Sequence, residues 1–397
     1  MEILKRAPML GILAAIISGA AMYDRAGIFA FIIIAPVVYS AVMFCSYEHE
    51  ITEQWSVFFI GIIICVLCSL RMYHALTKPP AENLTLTQES GTVISVRTWG
   101  KRMYVAVIDS DHAGKYVTRL PFMTMMQGDR ILFDGVTYSF RPRELDNDFD
   151  ESRYWRARGV DSWISIDDVK ELPERFSLPR MRYILSKKIT MYMPERVSAY
   201  LKAAWLGERD KNLNDNHKKW GTVHILAVSG FHVGLVILCA GLIFGSRTII
   251  LSIILWAYVL LTGAAPSALR AGLMIQIALI SRALGRNVMG VNAVSSAGVM
   301  ILMYSPLMFW DIGYRLSMLA ALTITTIPRK KYMWLLISPL ISLVTFPQVS
   351  WSFGNIVLAG LIMNFFAPLY FTFALTIASG FGILRLLNVP LMKYMML

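Results

Sequence analysis

The sequence lacks the motifs that identify several common classes of protein. No G-x-x-x-x-G-K-[ST] phosphate-binding loop occurs in its 397 residues, so a nucleotide-driven motor of that kind is excluded. No H-x-H-x-D-H metal motif occurs either, and we expect no metal or other cofactor. Cysteine is scarce, with four residues that all lie in apolar runs, and no disulfide framework is implied.

Charged residues are also few, at 16% of the chain, whereas hydrophobic residues make up 56%. The mean hydropathy is +0.54, and long uncharged runs occur, such as 288–310 and 332–384. A helix of about 20 apolar residues crosses a bilayer. The composition therefore predicts a polytopic α-helical membrane protein.

The apolar runs predict about ten membrane spans. Three come before the polar region, at 7–23, 26–46 and 55–70. Seven follow it, at 221–245, 248–264, 268–281, 288–304, 312–327, 332–350 and 354–384. The last run is longer than one span needs, and we expect a break near Pro368.

The middle of the chain has a different composition. Residues 77–220 hold 24 of the 38 Lys and Arg and 20 of the 26 Asp and Glu, which indicates a water-exposed region. Five segments between Glu89 and Val169 alternate apolar and polar residues and predict β-strands. Five short strands are typical of a small all-β barrel such as an OB-fold, although an SH3-like barrel fits almost as well.

Helices are predicted on either side of the fifth strand. Residues 141–160 are charged and aromatic and predict a loop followed by a short helix. Residues 176–206 have apolar side chains at three- and four-residue spacing and predict two amphipathic helices on the membrane surface. The alternative is an ordinary helix that covers the barrel. The predicted domains are 1–76, 77–175, 176–220 and 221–397.

Basic residues mark every second loop or terminus of the apolar regions. Examples are Arg247, Arg286 and the run 329–331, whereas the intervening loops hold none. Because cytoplasmic loops are enriched in Lys and Arg, these ends are predicted to face the cytoplasm. Residues 77–220 are then extracytoplasmic.

One apolar run contains an unusual polar cluster, HILAVSGFHVGL at 224–235. Polar groups at bilayer depth usually face a bundle interior or a wet cavity. The glycines at 230 and 234 predict either close helix packing or a break in the helix. A serine hydrolase is less well matched because Ala227 replaces the first glycine of G-x-S-x-G. Metal binding and histidines hydrogen-bonded within a helix bundle remain alternatives.

Two arginines also lie inside apolar runs. Arg270 follows a Gly-Ala-Ala-Pro sequence, and Arg315 follows Asp311 by four residues, a spacing at which the two could pair. Guanidinium groups suit phosphate, although both could instead reach the membrane surface. The residues predicted to line a passage are His224, Ser229, His232, Arg270, Arg315, Asn355 and Asn364.

Four blocks of sequence resemble the ComEC family of competence proteins. They are WLGERD at 205–210, HILAVSGFHVGL at 224–235, LTGAAPSALRAGLM at 261–274 and PLMFWDIGYRLSMLA at 306–320. FDESRYWRARGV at 149–160 resembles a segment of the family's extracytoplasmic domain. One departure is Arg315, where the family usually has Gln.

The resemblance implies an inner-membrane channel for single-stranded DNA, with an extracytoplasmic OB-like domain that contacts the DNA. The sequence shows no counterpart of the nuclease domain of longer members, so we expect either a short form of the family or a truncated chain, and no enzyme activity. The expected partners are single-stranded DNA, membrane lipid, an external DNA receptor, an internal helicase or motor, and a separate nuclease. The residues predicted to contact DNA are Arg97, Trp99, Lys101, Arg102, Tyr104, Arg119, Arg156 and Arg158. The alternative functions are transport of another anionic substrate or an envelope precursor, and intramembrane serine hydrolysis.

Overall fold

The chain is described by a computed structural model. It covers residues 8–26, 37–39, 55–79, 82–99, 103–120, 125–141, 149–208, 210–226, 228–286, 289–327, 336–353 and 359–386. The chain divides into two compact units. The first comprises Met1–Pro80, Phe140–Gly159 and Leu273–Ser352, and the second Ala81–Ser139, Val160–Gly272 and Phe353–Leu397. The domain boundaries drawn from the sequence stay predictions.

Five strands of the second unit form a closed barrel in the order β1-β2-β3-β5-β4. The strands are β1 Thr85–Trp99, β2 Met103–Ser110, β3 Lys115–Leu120, β4 Arg130–Tyr138 and β5 Ser162–Glu171. All neighbours are antiparallel except β3 and β5, which pair in parallel over two residues each. The five predicted strands are confirmed, and the barrel is consistent with the OB-like fold.

The barrel core follows from the alternation in the strands. The core contains Val93, Ala106, Ile108 and Ile164, which are buried against one another. Successive side chains of a strand point to opposite faces of the sheet, so the neighbours of these residues along each strand point away from the core. Each strand thus contributes one apolar face to the interior and leaves the other face to carry charged and aromatic side chains.

Helices make up the rest of the described chain. In order, they are α1 Pro8–Ala26, α2 Trp55–Thr77, α3 Glu151–Arg156, α4 Leu178–Tyr192, α5 Glu195–Leu206, α6 Lys211–Lys219, α7 Val223–Leu226, α8 Gly230–Phe244, α9 Thr248–Leu261, α10 Pro266–Ala283, α11 Gly290–Tyr304, α12 Ile312–Thr326, α13 Ile337–Phe353 and α14 Ala359–Leu386. A 3₁₀ helix spans Pro306–Trp310. The short helix predicted after the fourth strand is confirmed as α3.

Most of the predicted spans coincide with a helix, but two predictions are wrong. The run 221–245 is not one helix, because it divides into α7 and α8. The last helix shows no break near Pro368, since α14 runs through it. Most of the predicted span 26–46 lies outside the described residues. Among the described residues, one helical stretch, Phe59–Thr77, is long and apolar enough to cross a membrane, and other apolar stretches, such as Gly230–Phe244 and Phe373–Ile383, are shorter.

The core of the first unit is built where α11 packs against α1 and α12. Gly298 of α11 permits this contact, since a Cβ there would lie 3.2 Å from both the Leu13 side chain and the Tyr314 hydroxyl. The Tyr314 hydroxyl also donates to the Gly298 carbonyl at 3.1 Å. Close approach at this glycine therefore holds three helices together.

The two helices predicted within 176–206 are confirmed as α4 and α5. Ser177 caps α4, and Pro194 stands between the two helices. The start of α4 packs on the barrel, where Arg180 Nη1 donates to Asp129 Oδ1 at 3.3 Å. Its end exposes an apolar side chain, with Met191 77% exposed. The start of α4 thus covers the barrel. The predicted position of α4 and α5 on the membrane surface stays a prediction.

Candidate functional site: a broken helix junction

The polar cluster of the sequence lies at a break between two helices of the second unit. α7 ends at Leu226, and α8 begins at Gly230. His224 and His232 are therefore on separate helices, so their predicted separation around one ideal helix does not apply. The alternative that the sequence left open, a broken helix that exposes backbone groups, is the one observed.

A reciprocal side-chain cap starts α8. The Ser229 backbone N–H donates to His232 Nδ1 at 3.2 Å, and Ser229 Oγ lies 3.0 Å from the same nitrogen. His232 thus takes the place that Glu or Gln fills in a capping box. Since a backbone N–H can only donate, Nδ1 is an acceptor, and Nε2 carries the proton of the neutral ring.

Three loops meet at this break. Gly207, at the end of α5, has a positive φ of 69°, and a Cβ there would lie 3.2 Å from the Thr262 carbonyl and 3.5 Å from the Val228 side chain. The Ser267 hydroxyl, at the start of α10, donates to the Val228 carbonyl. The blocks WLGE, AVSG and TGAAPS, which are far apart in sequence, therefore form one junction.

Arg182 of α4 fastens two of these loops. Its guanidinium donates to the Leu206 carbonyl at the end of α5 and lies against Gly263, where a Cβ would be 2.7 Å from Arg182 Cζ. Gly263 has a positive φ of 73°, a conformation that favours glycine. Burial lowers the pKa of Arg182. The sequence analysis missed Arg182, because a basic residue on an amphipathic helix looks like surface charge.

Arg270 lies one turn after the start of α10 and is 3% exposed. Its neighbour Ala271 faces Gly230, whose Cβ position lies 3.5 Å from the Ala271 methyl group. Arg270 is therefore buried close to the junction rather than open to a wide groove. No described residue lies within 4 Å of a Cβ placed at Gly234, so the close packing predicted there has no support in this part of the chain.

A cavity of about 90 Å³ adjoins the junction. Its lining residues are His224, Ile225, Ser229, Phe231, His232 and Phe371. Three of the predicted passage residues are thus brought to one place. Arg315 belongs to the other unit and is described below, Asn355 lies outside the described residues, and the Asn364 side chain is also outside them.

A buried histidine that the sequence analysis did not select stands just before the junction. His217 Nε2 lies 3.0 Å from the Tyr200 hydroxyl, and Nδ1 lies 2.8 Å from Thr222 Oγ1. The ring also packs edge-on against Tyr200, and Phe371 lies 5.6 Å from it, centroid to centroid. His217 was difficult to recognise from the sequence as a buried residue, because the rest of α6 is polar, as is typical of an exposed helix.

His217 should make stability depend on pH. Burial lowers its pKa below the ordinary value of 6.5, so the unfolded chain binds the proton first as the pH falls. The stabilisation is complete above pH 6.5 and is lost progressively below it. We expect the thermal midpoint of the detergent-solubilised protein to fall between about pH 6.5 and 5. His217→Asn should flatten that slope, and an unchanged slope in the variant would exclude His217 as its source.

The predicted DNA contacts on the barrel fall on two faces. Arg97 lies opposite Val105, and Val105 lies opposite Arg119, so the two arginines share the outer face. Tyr104 lies opposite Leu120 and packs, partly buried, against the barrel core, so it faces away from the two arginines, and its predicted contact with DNA stays a prediction. Lys101, Arg102 and the Trp99 side chain lie outside the described residues.

Tyr138, which the sequence did not single out, extends this outer face with a ring that is 38% exposed, whereas its neighbour Trp163 is buried. The Arg119 guanidinium lies over the Trp163 ring at 4.5 Å, and Tyr138 stacks on Trp163 with ring centroids 6.3 Å apart. Arg119 and Tyr138 also line a cavity of about 310 Å³ between β3, β4 and β5. Stacking on an exposed aromatic face is a general means of holding nucleobases.

Arg156 and Arg158 both bond to groups of the first unit. Arg156 Nη2 donates to the carbonyls of Ala75 at 2.6 Å and Lys78 at 2.9 Å. Arg158 Nη2 donates to Asp311 Oδ2 at 2.6 Å. The two guanidinium groups thus fasten the loop after β4 to the helices of the first unit, and their predicted contacts with DNA stay predictions.

Comparisons with known proteins point to one family. Residues 206–396 match the family model described as competence protein. The chain is 27% identical over 231 residues to ComE operon protein 3 of Bacillus subtilis (strain 168), a match that covers 54% of this chain and 27% of that relative. The match thus covers about a quarter of the relative's length. No solved structure matches.

Proposed function

This chain belongs to the ComEC family of competence proteins, and from that premise we propose that it passes single-stranded DNA through the inner membrane during natural transformation. The junction of WLGE, AVSG and TGAAPS carries this proposal. All three blocks lie within or beside the matched region, and they meet where a helix is interrupted beside a small cavity that His224, Ser229 and His232 help to line. Interrupted helices at membrane depth are tolerated where they line a cavity or are buried in protein.

The surface of the helices supports a membrane position. Leu242 at the end of α8 is 80% exposed, and Ile249 at the start of α9 is 76% exposed. Large apolar side chains exposed on neighbouring helices are stable where lipid covers them. With the apolar runs of the sequence, they support a multi-pass protein of about ten spans whose residues 77–220 are extracytoplasmic.

The barrel supports a nucleic-acid partner outside the membrane. Arg97 and Arg119 supply positive charge on one face, and Tyr138 supplies an exposed ring beside them. A basic face with aromatic rings holds a single strand with little regard to sequence. An external receptor would deliver the strand and a cytoplasmic helicase or motor would draw it in, since the sequence has no phosphate-binding loop of its own.

A serine hydrolase is the second candidate, because Ser229 Oγ lies within hydrogen-bonding distance of His232 Nδ1. That nitrogen also accepts the Ser229 backbone N–H, which is the geometry of a helix cap. Among the described residues, no carboxylate hydrogen-bonds to the ring to orient it as a base. The short distance between Ser229 and His232 is therefore better explained by a helix cap than by a catalytic pair.

Uptake of labelled DNA in a deletion strain tests the proposal. Cells that lack the gene should bind DNA at the surface but bring none of it into the cytoplasm, and the wild-type gene should restore internalisation. Single-stranded label in the cytoplasm of complemented cells would match the proposed substrate. Normal internalisation in the deletion strain would refute the channel, and a defect in uptake of a small anion alone would favour the alternative transporter.

A further inference from the structure

Asp311 is the only acidic residue after Trp220 in the sequence. Its two carboxylate oxygens are both occupied. Oδ1 accepts the Tyr314 backbone N–H at 2.9 Å and so caps α12, and Oδ2 accepts Arg158 Nη2 at 2.6 Å. The Asp311 side chain is 9% exposed, so the pair is largely removed from water.

Arg158 is itself held in place by the segment that carries it. Its Nη1 donates to the Tyr154 carbonyl at 2.8 Å, and its guanidinium lies 3.7 Å from the centre of the Tyr154 ring. The adjoining Ala157 carbonyl accepts a hydrogen bond from Ser305 Oγ at 2.9 Å. The guanidinium is therefore presented to Asp311 in a fixed orientation, as an ion pair in a buried setting requires.

Arg315 lies one turn after Asp311, at the i,i+4 spacing where a carboxylate and a guanidinium commonly pair on a helix. The structure shows no ion pair or hydrogen bond between their side chains, although the Asp311 charge attracts the Arg315 guanidinium. Arg315 Nη2 makes a long hydrogen bond of 3.4 Å to the Trp310 carbonyl, and its buried Nε has no hydrogen-bond partner among the described residues. The predicted pairing of Asp311 with Arg315 is therefore wrong, and Arg158 takes the carboxylate instead.

We propose that Arg158 is a positioning residue that keeps Asp311 from neutralising Arg315. Because Asp311 is bonded to Arg158, its charge is balanced by that partner, and the Arg315 guanidinium keeps its donors for a phosphate group of the passing strand. This inference rests on the proposed function, because it assigns Arg315 to the polyanion. It gives the segment 149–159 an electrostatic role in addition to its anchoring role.

If Arg158 has this role, Asp311→Asn should suppress the defect that Arg158→Ala causes. In Arg158→Ala, Asp311 is released and turns to Arg315, so DNA uptake should fall by about tenfold or more. Asp311→Asn in the same gene removes the competing charge, while asparagine caps a helix about as well as aspartate. The double variant should therefore recover most of the wild-type uptake, although the ion pair is absent from it.

Controls separate this role from anchoring. Arg153→Ala removes another arginine of the same segment, which lies 4.7 Å from the Trp310 ring and pairs with Asp150 at 3.3 Å, and uptake should stay near wild type. Arg315→Ala should lower uptake with or without Asp311→Asn. All variants are compared at equal amounts in the membrane fraction, measured by immunoblot.

Each result of these experiments either supports or overturns the proposed role of Arg158. Recovery in the double variant supports it, whereas equal loss in Arg158→Ala and the double variant means that the ion pair serves only as an anchor. Unchanged uptake in Arg158→Ala, beside a clear loss in Arg315→Ala, also overturns it. The deletion strain distinguishes these from failure of the proposed function, since normal internalisation without the gene would remove the channel itself.

Discussion

A His232→Ala variant is expected to lose most DNA uptake, and His232→Gln is expected to keep it. Alanine leaves the Ser229 backbone N–H without its acceptor, which costs about 1–3 kcal/mol for a buried group. A cost of that size lowers the population of the capped junction by about 5- to 150-fold. Glutamine is the ordinary residue at this place in a capping box, and its side-chain oxygen can accept the same N–H.

Internalised DNA in complemented deletion cells is the measurement, with His224→Gln as a matched control on the other histidine of the cavity. His224 forms no part of the cap, and its replacement should change uptake less than His232→Ala does. Loss of uptake in His232→Gln at a normal protein level would show that the imidazole itself is required, and the capping explanation would fail. Serine-reactive labelling that depends on His232 would then favour the hydrolase.

A Gly128→Ala variant is expected to be strongly destabilised. Gly128 has a positive φ of 92°, and its N–H donates to the Val93 carbonyl at 2.8 Å in the turn before β4. A Cβ there would lie 2.5 Å from the backbone nitrogen of Arg180 and 2.7 Å from its Cβ. Because backbone atoms cannot rotate away, α4 must move off the barrel. Conformational strain and the clash together cost about 2–5 kcal/mol.

Gly159→Ala is the matched control for this variant. Gly159 also has a positive φ, of 75°, but no described residue lies within 4 Å of a Cβ placed there. Its cost should be the conformational part alone, about 1 kcal/mol. Thermal unfolding and limited proteolysis of the solubilised protein compare the two. Equal destabilisation would show that contact with Arg180 contributes nothing.

The local elements of this protein follow from short-range patterns. Alternation of side chains along a strand has a period of two, and it places five strands between Thr85 and Glu171 within a few residues of their predicted bounds. Apolar spacing likewise predicts α4 and α5, and Pro194 places the boundary between them. These local patterns are enough for such predictions because each element depends on neighbours a few residues away.

Contacts between residues that lie far apart along the chain did not follow from these patterns. Arg156, Arg158 and Tyr104 are of residue types suited to a DNA surface, and the structure adds a contact of each with a group of its own chain. The pairing of Asp311 shows the same limit. Its i,i+4 neighbour Arg315 was the evident choice in sequence, but Arg158, 153 residues away, holds it. The spacing of residues within one helix gives no information about a competing partner, such as Arg158, from a distant part of the chain.

The sequence by itself predicted a membrane protein, a β-barrel and several of the polar residues that meet at the junction, since hydropathy and periodicity act locally. Only the tertiary structure decided which of these groups meet. It divided the run 221–245 into two helices, gave His232 a capping role and assigned the single carboxylate after Trp220 to Arg158. Burial makes each polar group require a partner, and the partner available at that point is set by the packing of distant segments.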